Sequence, residues 1–158
     1  MRRHDDHGSG DLSARIDRLE SIQEIRQLAH RYALAIDIRN LDDLVDSPLL
    51  AGKYSKVIPL DEGARPISIF AVADKAKQLE VKPDVLAKHK ALVQQADKVF
   101  ASRHYKHYTF LASASDRYSG IGLEHHQSTE VGVDTDYFTD AKELAKDEVF
   151  AHEYSHSW

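Results

Sequence analysis

The stretch "PISIFAVA" at residues 66–73 carries β-branched, aromatic and small residues and no charge. Such a run is stable only as a strand covered on both faces, so the chain must supply layers to either side of it. "HYTFLASAS" at 107–115 predicts a second strand of the same kind, "DRYSG" turns the chain, and "IGLEHHQST" at 121–129 predicts a third. A short strand at 56–60 precedes them. Between the first two long strands, Pro83 suits the first turn of a helix. Leu86, His89 or Lys90, Leu92 or Val93, Ala96, and Val99 or Phe100 give that helix, 83–103, an apolar stripe. "VGVDTDYFTD" reads as loop, and 141–158 as a last helix with Leu144, Val149 and Phe150 available for packing. The expected fold is α+β: a small, incomplete mixed sheet with two helices against it.

Before residue 48 the pattern is different. Residues 1–10 read as a flexible leader, broken by Gly8-Ser9-Gly10. From the N-cap residue Asp11, apolar positions at Leu12, Ile16, Leu19, Ile22, Ile25, Leu28 or Ala29, Tyr32 and Ile36 recur at spacings of three and four. This predicts a long amphipathic helix, followed by a short one at 41–46 that Ser47-Pro48 stops. Three segments follow: a leader 1–10, a helical segment 11–47 and an α+β segment 48–158.

Composition removes several classes of function. The 158 residues contain no cysteine, so neither disulfides nor thiolate metal sites are available. Twenty-one basic and 26 acidic residues give a formal charge of −5, and no basic block is interleaved with aromatics. A nucleic-acid partner is not expected. No apolar run is long enough to span a bilayer, and the first residues have no apolar core of a secretory signal. The expectation is a cytoplasmic protein without a membrane partner.

The sequence closes on "DEVFAHEYSHSW", which contains His152-Glu153-x-x-His156. On a helix, residues four apart share a face, so His152 and His156 present two imidazoles to one point. With cysteine absent, histidine and carboxylate are the ligands left for zinc. Glu153, next to the first histidine, is placed to serve a zinc-bound water as general base. Such a pattern also arises on helices that bind nothing. Glu124, 28 residues before His152, lies on the predicted strand 121–129 with Gly120 and Gly122 beside it. Glycines there let another chain approach the strand edge. Glu124 can hold a substrate's free amino group, or it is simply a solvated strand carboxylate.

Beyond these motifs, "HYTFLASASDRYSGIGLEHHQSTEVGVDTDYFTD" followed by "HEYSHSW", with "LEVKPDVLAKHKALVQQAD" before them, resembles the glycyl aminopeptidase family of zinc metallopeptidases over about residues 54–158. The resemblance implies a partial thermolysin-like (gluzincin) catalytic domain and a peptide substrate with a free N-terminus. It implies that His152 and His156 ligate Zn2+, that Glu153 is the general base, and that Glu124 recognises the substrate N-terminus. Glu124 stands at the glutamate of the related Gly-x-Met-Glu-Asn motif, with Leu123 in place of Met and His125 in place of Asn. The family's third zinc ligand is a glutamate well downstream of the second histidine, as are the residues that stabilise the oxyanion, and nothing here matches them. Glu143 and Glu148 precede the motif on the same predicted helix and do not reach the metal face. Helix ends fray, and His156 sits in the last turn. The expectation is therefore a domain cut off inside its HExxH helix, with weak zinc binding and weak or absent peptidase activity.

"RIDRLESIQEIRQLAHRYALAIDIRNLDDLV" at 15–45 resembles the opening helices of SnoaL-like proteins, which house small-molecule lyases, isomerases and binding modules in a cone-shaped α+β barrel. That resemblance implies a pocket role for Tyr32 and Asp37, although the barrel strands do not follow. Read from the residues, Tyr32 belongs to the apolar stripe and Asp37 to a helix end. A third reading is an inert domain fragment whose open sheet edge and apolar faces lead to self-association.

Overall fold

The computed structural model describes residues 48–144 and 148–158, together with Leu12, Arg15, Ile16, Arg18, Leu19, Glu20, Gln23 and Gln27 of the N-terminal segment. The chain divides into two compact units, Met1–Ser47 and Pro48–Trp158. In the first, the eight described residues are helical. Leu12, Ile16 and Leu19 are 56%, 45% and 65% exposed, so this part of the apolar stripe is not buried as its periodicity predicts. The leader, the short helix at 41–46, Tyr32 and Asp37 lie outside the described residues.

The second unit is α+β. Its strands are β1 (Tyr54–Asp61), β2 (Ile67–Ala73), β3 (Tyr108–Ala114), β4 (Ile121–Glu124) and β5 (Ser128–Val133). They form one sheet in the order β1-β2-β3-β5-β4. The β2–β3 and β3–β5 pairs are parallel and both edges are antiparallel, so the sheet is mixed. Helix α1 (Pro83–Phe100) makes the crossover between β2 and β3, and α2 (Ala141–Leu144) and α3 (Val149–Ser155) follow β5.

Register decides which residues share a face. Ile69 lies beside Phe110 and Phe110 beside Thr129, while Ala71, Ala112 and Val131 form the next row. These side chains are all buried, and they join Val85, Val93 and Ala96 of α1 and Phe150 and Tyr154 of α3 in one core. The opposite face is covered less completely than the apolar runs predict. Ser68, Phe70, Thr109 and Leu111 are half-buried there. Loop segments do the covering: Gly52 lies against Val72, and the Tyr118 carbonyl accepts the Ser113 hydroxyl at 3.4 Å.

Two elements depart from their sequence reading. The predicted strand 121–129 is two strands. The chain reverses at His125–Gln127, where the His125 N–H donates to the Ser128 carbonyl at 2.9 Å. "STEVGV" then returns as β5 between β3 and β4, and Val131 and Val133 enter the core. The first part of the predicted loop is therefore an interior strand. Gly132 and the following aspartates mimic a turn, while the period-two burial of the valines makes the strand. The predicted helix 141–158 is likewise broken. Glu148 has φ −97° and ψ 3° and caps α3, so Glu143 and Glu148 do not continue the HExxH helix.

Helix α1 starts with Pro83 at its first turn and stops at Phe100, because Ala101 adopts the left-handed conformation at φ 52°. The chain then turns back and Arg103 grips Asp97 with two nitrogens, at 2.7 and 2.5 Å. The same guanidinium donates to Asp61 at 2.6 Å and to the Arg65 carbonyl at 2.9 Å, tying the end of α1 to the β1–β2 turn. The Gly63 N–H and this guanidinium hold the Asp61 carboxyl below its usual range. His89 does the corresponding work inside the core, where it is 3% exposed. Its Nδ1–H donates to the Val85 carbonyl at 2.9 Å, leaving Nε2 to accept the Tyr137 hydroxyl at 3.1 Å. Burial pushes its pKa below 6.5, and the bond to Val85 opposes that shift.

Arg103→Met is expected to lower stability near neutral pH by about 1–2 kcal/mol in urea unfolding. Asp61 has a depressed pKa, so its contribution is present above its unfolded value of 3.8 and is lost as pH falls through its lower folded value. The gap between wild type and Arg103→Met should therefore shrink in acid. His89 also has a depressed pKa, but its stabilising form is the neutral one. The unfolded chain takes up the proton first as pH falls through 6.5, so wild-type stability declines there. His89→Gln, which keeps a donor and an acceptor, should flatten that part of the stability–pH curve.

Candidate metal centre

Helix α3 sorts its residues by face. Phe150 and Tyr154, one turn apart, are 3% and 1% exposed and point into the core. His152 and His156 are exposed, and their Nε2 atoms lie 3.1 Å apart. Two zinc–nitrogen bonds of ordinary length at a tetrahedral angle hold two nitrogens about 3.3 Å apart. The pair therefore fits two positions of a zinc shell. Among the described residues, no group of three or more His, Asp or Glu is arranged to hold an ion.

Glu153 takes a third direction, toward β4, and is only 6% exposed. A Cβ at Gly122 would lie 2.0 Å from Glu153 Oε1 and 2.7 Å from its Cγ, so the carboxylate rests on bare backbone. Register explains the approach. Gly122 pairs with Val131 and Glu124 with Thr129, which places both on the sheet face that carries α3. Ile121 and Leu123 point the other way and are 40% and 49% exposed.

Glu124 thus comes to the same place as Glu153 and His156. Its carboxyl is held below the usual glutamate range, first by its own backbone N–H and further by the charge of His156, a hydrogen bond with Glu153 and the charge of His125, while burial opposes them. With the Glu124 carboxyl favoured in its anionic form beside Glu153, this corner of the site is suited to a positively charged or proton-donating group. His125 Nε2 lies 3.8 Å from Glu130 Oε1.

The end of the motif is better ordered than the fraying rule predicts. The His156 N–H donates to the His152 carbonyl at 3.3 Å, and Ser157 and Trp158 continue the winding with bonds to Tyr154 and Ser155. The Trp158 ring stacks on Phe100, with centroids 4.3 Å apart. Sequence reading missed this contact, although the chain's only tryptophan two residues after His156 was a signal for it. It also missed the buried hydroxyl pair of Tyr105 and Tyr154 beneath the site, whose pKa values burial pushes up.

No family model matches the chain, and no curated protein does. A solved structure does. It is an aminopeptidase N family protein from Idiomarina loihiensis, similar over 66% of this chain and 18% of its own, with 19% identity and a TM-score of 0.50. At that identity the likeness shows a shared fold, and this chain spans less than a fifth of that structure's length. Among the described residues, no helix is long and apolar enough to cross a membrane.

Gly122→Ala should leave the core intact, since the clashing atoms belong to one side chain, yet force Glu153 off its seat. Thermal unfolding is expected to change little. The side-chain carboxyl resonances of Glu153 and Glu124, followed by NMR, should shift while amides of β2 and β3 stay in place, since the added Cβ displaces Glu153 locally.

Proposed function

We propose that residues 48–158 are the leading part of a zinc peptidase catalytic domain of aminopeptidase type. The observation that carries this reading is the convergence of His152, His156, Glu153 and Glu124 from a helix and an edge strand at one corner of the sheet. The fold shared with an aminopeptidase N family protein agrees with it.

In this reading His152 and His156 hold the metal through Nε2. A bound zinc ion supplies Lewis acidity. Glu153 accepts the proton of the attacking water at a carboxylate oxygen and returns it to the departing amine. Its seat against Gly122 fixes its direction. Glu124, anionic and beside Glu153, pairs with the substrate's ammonium group, which selects peptides with a free N-terminus. With two histidines as the protein ligands among the described residues, affinity is expected to be low and turnover slow.

Zinc competition with a chromophoric chelator tests the reading. One-to-one binding that is lost in His156→Ala is the expected result. Absence of binding, or binding indifferent to His156, overturns it. Any hydrolysis of aminoacyl-anilides should fall at least about a hundredfold in Glu153→Gln.

A further inference from the structure

We propose that Trp158 is a positioning residue for His156. Its ring holds the C-terminal turn of α3, and with it the second imidazole of the pair. Its metal-positioning part rests on the functional reading above, whereas the ordering of the turn does not.

His152 and His156 are held differently. The His152 N–H donates to the Glu148 carbonyl at 2.9 Å, inside the helix ladder. His156 is the C-cap, with φ −64° and ψ −16°, and its own ladder bond is longer at 3.3 Å. A helix of seven residues contributes little to hold such a position by itself.

Besides their bonds back to α3, the two residues after His156 make attachments to other elements. The Trp158 ring lies 4.3 Å from Phe100, the last residue of α1, at an interplanar angle of 8°. Its Nε1–H donates to the Ser102 carbonyl at 2.9 Å, beyond the end of α1. Its edge meets Tyr154 at 5.0 Å and Tyr105 at 6.0 Å. Between the two residues, the Ser157 hydroxyl donates to the Tyr108 hydroxyl of β3 at 2.9 Å. Trp158 is half-buried at the margin of the core, so filling volume is not its main work. Its stack and its N–H bond fix a direction, and the chain between it and His156 is a single residue. The 3.1 Å spacing of the two Nε2 atoms follows from where that turn is pinned.

The test compares wild type, Trp158→Ala and Trp158→Phe, which keeps a stacking ring but loses the bond to Ser102. In the metal-free protein, amide exchange at His156 is expected to speed up about tenfold or more in Trp158→Ala, with β2 and β3 amides unchanged and Trp158→Phe restoring most of the protection. Zinc affinity, by chelator competition, should fall about ten- to hundredfold in Trp158→Ala and recover in Trp158→Phe. Unchanged exchange at His156 overturns the proposal. So does an equal acceleration throughout β2 and β3, which makes Trp158 an ordinary core residue. Unchanged zinc affinity in a protein that binds zinc overturns the positioning role. If Trp158→Ala unfolds, Phe100→Leu, which thins the stack from the other side, is decided by the same criteria. If the wild type binds no zinc, the functional reading fails, and the exchange at His156 still decides whether Trp158 pins the turn.

Discussion

Everything at the candidate site depends on the aromatic layer beneath α3. A helix of seven residues is not stable in water, so this one exists because Phe150 and Tyr154 are buried. Phe150 stacks on Tyr137 at 5.4 Å, meets His89 edge-on at 4.9 Å and packs on Phe110 at 5.2 Å. Tyr154 lies 4.9 Å from Tyr108 and 5.1 Å from Phe110. Each such side chain contributes about 2–3 kcal/mol from burial. With those two residues fixed, helix geometry leaves no freedom to the others: the histidines must face out and Glu153 must face β4.

The second half of the site comes from strand pairing. β5 lies between β3 and β4, and it sets the face on which β4 displays Gly122 and Glu124. A slip of one residue would turn Ile121 and Leu123 toward α3 and Glu124 away from it. Buried Thr129 secures the register locally, its hydroxyl donating to the Leu123 carbonyl at 2.9 Å. The parallel core of the sheet and the chemistry at its edge are therefore linked through a single strand.

This explains which parts were legible in the sequence. The strands "PISIFAVA" and "HYTFLASAS" and the helix after Pro83 announce themselves by composition and period, and the structure places β2, β3 and α1 there. The i, i+4 spacing of His152 and His156 also needs no tertiary information. The meeting of Glu124 with Glu153 could not be read from residues alone, because it follows from the β4–β5 register, and β5 was hidden behind loop-like glycine and aspartate. The role of His89 was open for a similar reason: helical spacing offers His89 or Lys90 to the core, and only the Tyr137 hydroxyl and the Val85 carbonyl make the histidine acceptable there. The break before α3 is a tertiary decision too, since Glu148 has no local signal against helix.

β4 has four residues, all exposed, and a neighbour on one side only. The two halves of the site are thus unequal in stiffness. One is a helix pinned into aromatic core, and the other is an edge held by one ladder of hydrogen bonds. Local opening is cheaper on the second side. A ligand that touches only the histidines meets a rigid partner and loses little entropy. One that also engages Glu124 must still the strand, and its binding should show a less favourable entropy for each added contact. Discrimination between ligands at this corner is then set as much by what the strand loses in motion as by what the ligand gains in contacts.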